Sequence, residues 1–281
     1  MIFPREAQTS AAVAEHYDEL DLFYREIWGD HVHHGYWATG RETPEEAVEA
    51  LVAHLAGKLS LRPGQRICDI GCGYGATAEW LATHHGVHVT GLTISGAQAQ
   101  RAAERSARLP LLAFHRQDWL ENTFEDSVFD GVISIESSEH MPDKQRFFDE
   151  AYRTLRPGGQ LAVYAWLARP GARAWEVRYL LEPICREGRL PAMHTAREYG
   201  ALLRAADLQV TDFADQSRRV SRTWPICLRR TAARLARDPE ARAFLLSSRN
   251  PDRIFALTML RILAAYGTRA MVYGIFAARR P

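Results

Sequence analysis

The stretch that decides the fold is "RICDIGCGYGATAEWLATHHGVHVTGLTIS", residues Arg66 to Ser95. A short apolar run leads into three glycines within five residues, and a helical pattern and a second apolar run follow. A strand, a turn and a helix in this order indicate the first unit of an open parallel sheet, in which ligands bind beyond the carboxyl ends of the strands. Glycine lets a ligand approach the backbone, and the first amides of the helix can bind a polar group. We therefore expect a ligand at Gly71–Gly75, with a plain tight turn as the alternative.

The alternation of strands and helices continues along the chain. Strands are predicted at 66–70, 87–92, 111–115, 129–134, 160–165 and near 208–215, and helices at 11–60, near 75–85, 95–108 and 143–155 and over 223–267. This alternation predicts an α/β fold with a mostly parallel sheet and helices on both faces. We expect one domain over 1–281, made of a helical lid at 1–60, a ligand-binding core at 61–166, further core elements with helical cap insertions at 167–268, and a closing strand at 269–281.

Composition excludes several classes of protein. The 35 basic and 34 acidic residues nearly cancel, so no overall field attracts nucleic acid. The arginine-rich C-terminal third is typical of a solvated helical face. Four cysteines are too few for a disulfide framework, and we expect them to be reduced. No stretch approaches the roughly 18 apolar residues of a membrane span, and we expect a cytoplasmic monomer or homodimer without a metal.

The glycine spacing fits a nicotinamide dinucleotide fingerprint only in part. That fingerprint has its third glycine one residue later than Gly75, and an acidic residue ends the next strand. The next strand here ends at Thr93. A different ligand is therefore predicted.

The glycine loop resembles the first motif of the class I S-adenosylmethionine-dependent methyltransferases. The matching residues are "DIGCGYG", Asp69 to Gly75. The resemblance implies a Rossmann-like, seven-stranded fold and S-adenosylmethionine as cofactor, with S-adenosylhomocysteine as product. It also implies that the motif cradles the methionine portion of the cofactor, and the predicted cofactor-binding residues in it are Asp69, Gly71, Cys72 and Gly73.

Two further segments contribute to the predicted cofactor site. The stretch "GLTISGAQ", Gly91 to Gln98, is similar to the tocopherol-type methyltransferases and the cyclopropane fatty acid synthases. That likeness implies that Thr93 and Gln98 lie near the ribose, where most relatives use an acid, and Ile94 between them is also predicted to bind the cofactor. After the third strand, Asp118 could accept from the adenine amine and Trp119 could pack on the ring. A surface acid beside a core tryptophan is the alternative.

The segment "SIESSEHMPDK", residues 134–144, supplies the candidate catalytic residues. It resembles the segment after the fourth strand in tocopherol-type enzymes, which implies that Glu136, Glu139 and His140 lie at the cofactor mouth. An imidazole titrates near working pH, so His140 is a candidate general base. The alternative is that His140 or Glu139 caps the next helix or orients the loop.

The aromatic N-terminal stretch, residues 16–37, resembles the lid of tocopherol-type enzymes. The resemblance implies that Tyr17 contacts the cofactor. The predicted substrate-pocket residues are Trp28, His33, His34, Tyr36, Trp37, His194 and Tyr266. Ordinary packing is the alternative for the aromatics. For His194, which precedes the N-cap residue Thr195 of a predicted helix, the alternative is a capping or packing role. The three histidines at positions 31, 33 and 34 could suggest a metal site, but no matching cluster of carboxylates or cysteines is visible in the sequence.

The resemblance implies a methyltransferase acting on a small molecule. An aromatic or quinol-like acceptor methylated on carbon or oxygen is favoured, and nitrogen or sulfur acceptors are possible. Since fold does not fix function, a cofactor-binding cyclase or other non-methylating enzyme is the first alternative, and a non-catalytic scaffold is the second.

Overall fold

The computed structural model describes residues 1–246 and 255–281, with the side chains of 241, 244–246 and 255–257 left undescribed. Within these residues one sheet contains β1 (Arg66–Ile70), β2 (His88–Thr93), β3 (Leu112–Arg116), β4 (Phe129–Ile135), β5 (Leu155–Ala168), β6 (Gln209–Asp215) and β7 (Met271–Arg279). Their order is β3-β2-β1-β4-β5-β7-β6. β1 to β5 pair in parallel, and β7 runs antiparallel to β5 and β6. The predicted Rossmann-like, mostly parallel sheet of seven strands is confirmed.

The helices precede, connect and follow the strands. They are α1 (Ser10–Glu19), α2 (Asp21–Ile27), α3 (Pro44–Ala56), α4 (Ala76–His85), α5 (Gly96–Ser106), α6 (Lys144–Thr154), α7 (Ala174–Glu176), α8 (Glu182–Glu187), α9 (Ala196–Ala205), α10 (Ser217–Val220), α11 (Thr223–Arg237), α12 (Pro239–Leu246) and α13 (Phe255–Gly267). Single 3-10 turns lie at Trp119–Glu121 and Ser138–His140. The predicted helical stretch 223–267 includes residues 247–254, which lie outside the described residues.

The prediction of a helix throughout 11–60 was wrong for residues 28–43, which form no helix. Gly29 and Gly40 adopt positive φ angles of 85° and 79° there, which interrupt a right-handed helix. Helix α3 does begin as expected, because Thr43 accepts from the Glu46 amide in a capping box and Pro44 occupies the first helical position. The region predicted to form the lid therefore consists of α1, α2 and an irregular segment, followed by α3.

Two apolar clusters fill the space between the sheet and its helices. One includes Leu51 and Leu55 of α3 together with Leu81 of α4, and the other includes Phe147 and Phe148 of α6. Both clusters reach strands of the central sheet, so the carboxyl ends of β1, β2 and β4 are held as a fixed platform. None of the helices within 1–246 and 255–281 combines the length and the apolar character that a membrane crossing requires.

Candidate active site

The glycine loop between β1 and α4 has no room for a side chain at two of its three glycines. Gly71 has φ +72°, and a Cβ there would lie 2.3 Å from Ser137 Cβ. Gly75 has φ +79°, and its Cβ would lie 2.6 Å from the Phe114 ring. Gly73 differs, since no atom lies within 4 Å of its would-be Cβ. The loop is therefore packed at Gly71 and Gly75 and open to a ligand at Gly73.

A cavity of about 680 Å³ begins at this loop and follows the carboxyl ends of the central strands. A smaller cavity of about 320 Å³ lies on the other side of Gly71 and Gly73. The predicted residues that line the larger cavity are Tyr17, Gly71, Gly73, Thr93, Ile94, Gln98, Asp118 and Trp119. Those that line the smaller cavity are Asp69, Gly71, Cys72 and Gly73. The structure thus brings together all ten residues that the sequence predicted at the cofactor.

The end of this cavity at β2 and β3 offers polar groups for the nucleoside part of a cofactor. The Thr93 hydroxyl donates to Gln98 Oε1 over 2.7 Å, and both residues are buried. This contact leaves the two N–H groups of the Gln98 amide for a ligand hydroxyl. Asp118 Oδ1 accepts from the Leu120 amide at 2.9 Å. Trp119 is a core residue whose indole N–H donates to Phe147 O at 3.1 Å, although it also forms part of the cavity wall.

Asp69 is a buried carboxylate whose Oδ2 atom finds no hydrogen-bond partner among the described residues. Its burial raises the pKa from 3.8 to about 7. A buried charge without a partner costs free energy, so this position is suited to a cation. Because Asp69 lines the smaller cavity beside Gly73, the site fits the α-ammonium group of S-adenosylmethionine. The open backbone at Gly73 leaves room for the rest of the methionine portion.

The 680 Å³ cavity is called the cofactor cavity below, because it is lined by eight of the ten residues predicted at the cofactor. Another cavity, of about 510 Å³, adjoins it and is called the second cavity. Its walls are mainly aromatic and apolar, formed by Tyr24, Trp28, Val32, Trp166, Leu190 and Trp224. Tyr17, Val32, Glu136 and His140 line both cavities. A reacting group bound in one cavity therefore meets a group bound in the other beside these side chains.

His140 lies at this junction with its two ring nitrogens in different roles. Nδ1 is 3.2 Å from Arg189 O, and Nε2 is 3.0 Å from the Tyr17 hydroxyl. A carbonyl oxygen only accepts, so Nδ1 carries the proton and Nε2 offers a lone pair. Burial lowers the pKa of His140 to about 4, although the Arg189 carbonyl opposes this shift. His140 is therefore a neutral imidazole at neutral pH, with its basic nitrogen directed towards Tyr17.

Glu136 holds several parts of the site together. Its carboxylate accepts from the amide and the Nδ1 of His34 at 2.8 Å each, from Trp166 Nε1 at 3.0 Å and from the Tyr273 hydroxyl at 2.8 Å. Burial opposes ionisation, but His34 outweighs it and holds the pKa at about 2. Glu136 also adopts a φ of 53°, a strained conformation for a side chain other than glycine. This geometry gives Glu136 a positioning role rather than the role of a base.

Glu139 supplies a different kind of carboxyl group to the second cavity. Its Oε1 accepts from the Trp166 amide at 2.6 Å, and its Oε2 accepts from the Ser138 hydroxyl at 3.2 Å. Burial raises the pKa of Glu139 to about 8. Lys144 bonds to the Glu139 carbonyl oxygen at 2.9 Å. At neutral pH the Glu139 side chain is thus mostly a neutral acid, which can donate a hydrogen bond to a ligand oxygen.

Comparison with known proteins identifies the family of the chain. The model of the mycolic acid cyclopropane synthetase family matches residues 5–242. The chain belongs to this family. It is an enzyme of the S-adenosylmethionine-dependent methyltransferase class, acting on a small molecule, as the sequence predicted.

Individual relatives agree with the family assignment. The methyltransferase is 31% identical to the chloroplastic tocopherol O-methyltransferase of Arabidopsis thaliana, over 96% of this chain and 82% of the relative. It is 36% identical to the 27-O-demethylrifamycin SV methyltransferase of Amycolatopsis mediterranei, over 77% of this chain and 80% of the relative. Among solved structures, the [4+2]-cyclase SpnF is 26% identical with a TM-score of 0.80, covering 100% of this chain and 99% of that one.

Several lid residues predicted in the substrate pocket of the methyltransferase lie elsewhere. His33 lines the smaller cavity beside Asp69, and its Nε2 is 3.2 Å from His31 Nδ1. Tyr36 stacks on His54, with ring centroids 4.7 Å apart. Trp37 faces an outer groove beside α3 and α11. Among the lid residues predicted in the substrate pocket, Trp28 is the one that lines the second cavity.

The remaining predicted pocket residues support the site from outside it. The His34 Nε2 atom accepts from Trp224 Nε1 at 2.7 Å and is 3.2 Å from the Tyr266 hydroxyl. His34 and Tyr266 therefore lie behind Glu136, away from the cavity surface. His194 packs against Tyr199, with ring centroids 5.8 Å apart, and lines neither cavity. The described residues hold no group of three or more His, Cys, Asp or Glu side chains placed to bind a metal ion.

Sequence reasoning missed the main walls of the second cavity. Trp166 lies near the carboxyl end of β5, and the rule that ligands bind at this edge of a parallel sheet could have identified it. Trp224 lies on α11 of the cap, far from the motifs in sequence. Tyr24 and Leu190 likewise carry no local signal that separates them from ordinary core residues.

Substitution of Gly71 by alanine should destabilise the protein more than substitution of Gly73. The Gly71→Ala methyl would overlap Ser137 in addition to requiring a positive φ, and each effect costs about 1–3 kcal/mol. Gly73→Ala has only the conformational cost, since its methyl enters open space. Thermal unfolding of both variants without ligand measures the difference. Equal melting temperatures would contradict the packing of Gly71 against Ser137.

Proposed function

We propose that the methyltransferase transfers the methyl group of S-adenosylmethionine to a hydroxyl oxygen of a flat, largely apolar molecule. The observation that carries this proposal is the placement of His140 at the junction of the two cavities, with Nδ1 facing the Arg189 carbonyl and Nε2 facing the Tyr17 hydroxyl. A hydroxyl oxygen needs to lose a proton during methylation, and a neutral imidazole is suited to receive it. Asp69 and the glycine loop would hold the cofactor, whose sulfonium supplies the methyl group.

The shape and chemistry of the second cavity support this class of acceptor. Trp224 packs edge-on against Trp28 and Trp166, with ring centroids 6.0 and 5.6 Å apart, so the walls are rigid and apolar. Such walls suit an aromatic or polycyclic molecule. Glu139 can donate a hydrogen bond that orients one oxygen of the acceptor. The relatives that act on tocopherol and on 27-O-demethylrifamycin SV are named for methylation at oxygen. This supports oxygen as the acceptor atom over nitrogen or sulfur.

Positioning would account for much of the catalysis. Methyl transfer from a sulfonium is a displacement in line with the breaking carbon–sulfur bond, so it depends on the approach of the acceptor oxygen. The side chains shared by the two cavities would set this approach and exclude water. The ionised Glu136 lies at the same junction and would stabilise positive charge there.

A cyclisation without methyl transfer is the second candidate function. The likeness to the [4+2]-cyclase SpnF over the whole chain favours it. Such a reaction would use the apolar second cavity to fold its substrate and would leave the cofactor unchanged.

Product analysis separates the two functions. The purified protein is incubated with S-adenosylmethionine and matched phenols, hydroquinones, polyketide alcohols, amines and thiols. We expect S-adenosylhomocysteine in equal amount with an O-methylated product from one hydroxyl class. Methylation confined to amines or thiols would contradict the proposed oxygen acceptor. A rearranged product with no S-adenosylhomocysteine would instead establish the cyclase.

A further inference from the structure

We propose that Tyr17 is a catalytic residue that relays the acceptor proton to His140, an inference that rests on the proposed O-methylation. The sequence motifs placed Tyr17 at the cofactor. Tyr17 does line the cofactor cavity, but it also lines the second cavity, called the acceptor cavity from here on, and its hydroxyl bonds to His140, which gives it a further role.

The first step of the argument is that His140 has one nitrogen free to accept a proton. Its Nδ1–H donates to Arg189 O. Arg189 has a φ of 57°, so the backbone is held in a left-handed turn that directs this carbonyl at the ring. The acceptor proton can therefore arrive only at Nε2.

The second step is that the Tyr17 hydroxyl donates a hydrogen bond to His140 Nε2. The Tyr17 hydroxyl lies 3.0 Å from Nε2, and the two rings meet edge to face with centroids 5.5 Å apart. Because Nε2 is the acceptor of this hydrogen bond, the Tyr17 oxygen keeps its lone pairs for another donor. Tyr17 also lines the acceptor cavity. Although His140 lines the same cavity, its Nε2 lone pair already accepts from Tyr17, so an acceptor hydroxyl can pass its proton to Nε2 through the Tyr17 oxygen.

The third step is that Tyr17 is held in this position. Its ring stacks on Tyr24 with centroids 5.2 Å apart. The next residue, Asp18, accepts from the Ser95 hydroxyl and from the Ala97 amide, which fixes α1 against α5. The relay geometry is therefore part of the closed lid, and the base is connected to the acceptor only when α1 is in place.

The proposed step balances in atoms and charge. An oxygen lone pair of the acceptor forms the bond to the methyl carbon, and the electrons of the carbon–sulfur bond stay on sulfur. The acceptor proton passes to the Tyr17 oxygen while the Tyr17 proton passes to His140 Nε2. The products are a methyl ether, S-adenosylhomocysteine and an imidazolium ion. The site loses the positive charge of the sulfonium and gains that of the imidazolium, so its net charge is unchanged.

The environment of Tyr17 favours a relay over ionisation of the tyrosine. Burial raises its pKa above the ordinary value, and Glu139 and Glu136 raise it further. A stable tyrosinate is therefore disfavoured, and the two proton transfers have to be concerted. The substitution Tyr17→Phe removes only the hydroxyl, so it interrupts the two proton transfers and keeps the aromatic packing.

The test compares Tyr17→Phe with the wild-type enzyme on phenols that share one skeleton but differ in acidity. For phenols that are protonated at the assay pH, Tyr17→Phe should lower kcat about 10²-fold, at the lower end of the range for proton-transfer catalysis. For phenols that are already ionised, the two enzymes should have equal kcat. Affinity for S-adenosylhomocysteine, measured by calorimetry, should change less than about threefold. Tyr164→Phe is the matched control, because Tyr164 bonds to His54 outside both cavities.

A spectroscopic measurement tests the relay without any acceptor. Nitrogen-15 NMR of the ligand-free protein should show His140 protonated at Nδ1 only, with an Nε2 resonance that shifts in Tyr17→Phe. A proton on Nε2 would overturn the relay, as would equal losses on protonated and ionised phenols. A wild-type enzyme that methylates no hydroxyl would overturn the proposed function and the relay with it. Full activity of Tyr17→Phe on protonated phenols would overturn the relay alone.

Discussion

His140→Ala should lower kcat for methylation of a protonated hydroxyl acceptor by about 10²–10⁴-fold, the usual contribution of a general base. The reason is that neither carboxyl group beside His140 is suited to keep the proton. Glu136 is ionised but already accepts four hydrogen bonds, and Glu139 is mostly protonated at neutral pH. Steady-state kinetics with the acceptor found by product analysis measures the effect.

His194→Ala provides the control for this substitution. Burial lowers the pKa of His194 to about 4, as it does for His140, but His194 lines neither cavity. His194→Ala should therefore change stability without a comparable loss of kcat. If the two variants lost activity equally, the effect of His140→Ala would be structural and the assignment of the base would be wrong.

Asp69→Asn should weaken binding of S-adenosylhomocysteine by about 10²–10³-fold, because removing one partner of a buried ion pair costs about 3–5 kcal/mol. The neutral amide cannot compensate the ligand ammonium group. Calorimetry measures the dissociation constants of both proteins. The control ligand is methylthioadenosine, which lacks the amino acid group and should bind both proteins equally. An equal loss for the two ligands would contradict the contact between Asp69 and the ammonium group.

The pKa of Asp69 gives this prediction a pH dependence with a definite sign. In the ligand-free protein the group holds a proton up to about pH 7, whereas its ordinary pKa is 3.8. Binding of an ammonium group requires loss of this proton, so affinity should fall as the pH is lowered below 7. The folded protein binds the extra proton between about pH 4 and 7, so the contribution of Asp69 to stability falls as the pH rises through this window. Asp69→Asn should remove both trends.

The fold and the cofactor cavity could be predicted because their signals are local. The glycines at 71–75 are required by the turn itself, and Thr93, Gln98 and Asp118 directly follow or lie near the ends of strands. The edge of a parallel sheet then brings such residues together without further information. The same rule brings His140 near the loop, because it follows β4 by five residues.

The acceptor cavity, which is the second cavity described above, could not be predicted to the same degree, because its walls come from segments that are far apart in sequence. Trp224 is placed by the packing of α11, and nothing in its neighbourhood distinguishes it from a core tryptophan. The lid segment was misjudged for a related reason. Its irregular backbone has no period, so the directions of His33, Tyr36 and Trp37 depend on their burial partners and not on their spacing. Likewise, the four hydrogen bonds of Glu136 come from three separate parts of the chain.

The hydrogen bonds of His34 and Asp18 attach two parts of the N-terminal segment to different elements of the core. His34 bonds to Glu136, which directly follows β4, and the Trp37 amide donates to Arg219 O on α10. Asp18 on α1 accepts from the Ser95 hydroxyl and the Ala97 amide at the start of α5, and the Tyr17 hydroxyl bonds to His140 Nε2. A displacement of α1 would therefore separate Tyr17 from His140 and leave the bonds between His34 and Glu136 in place.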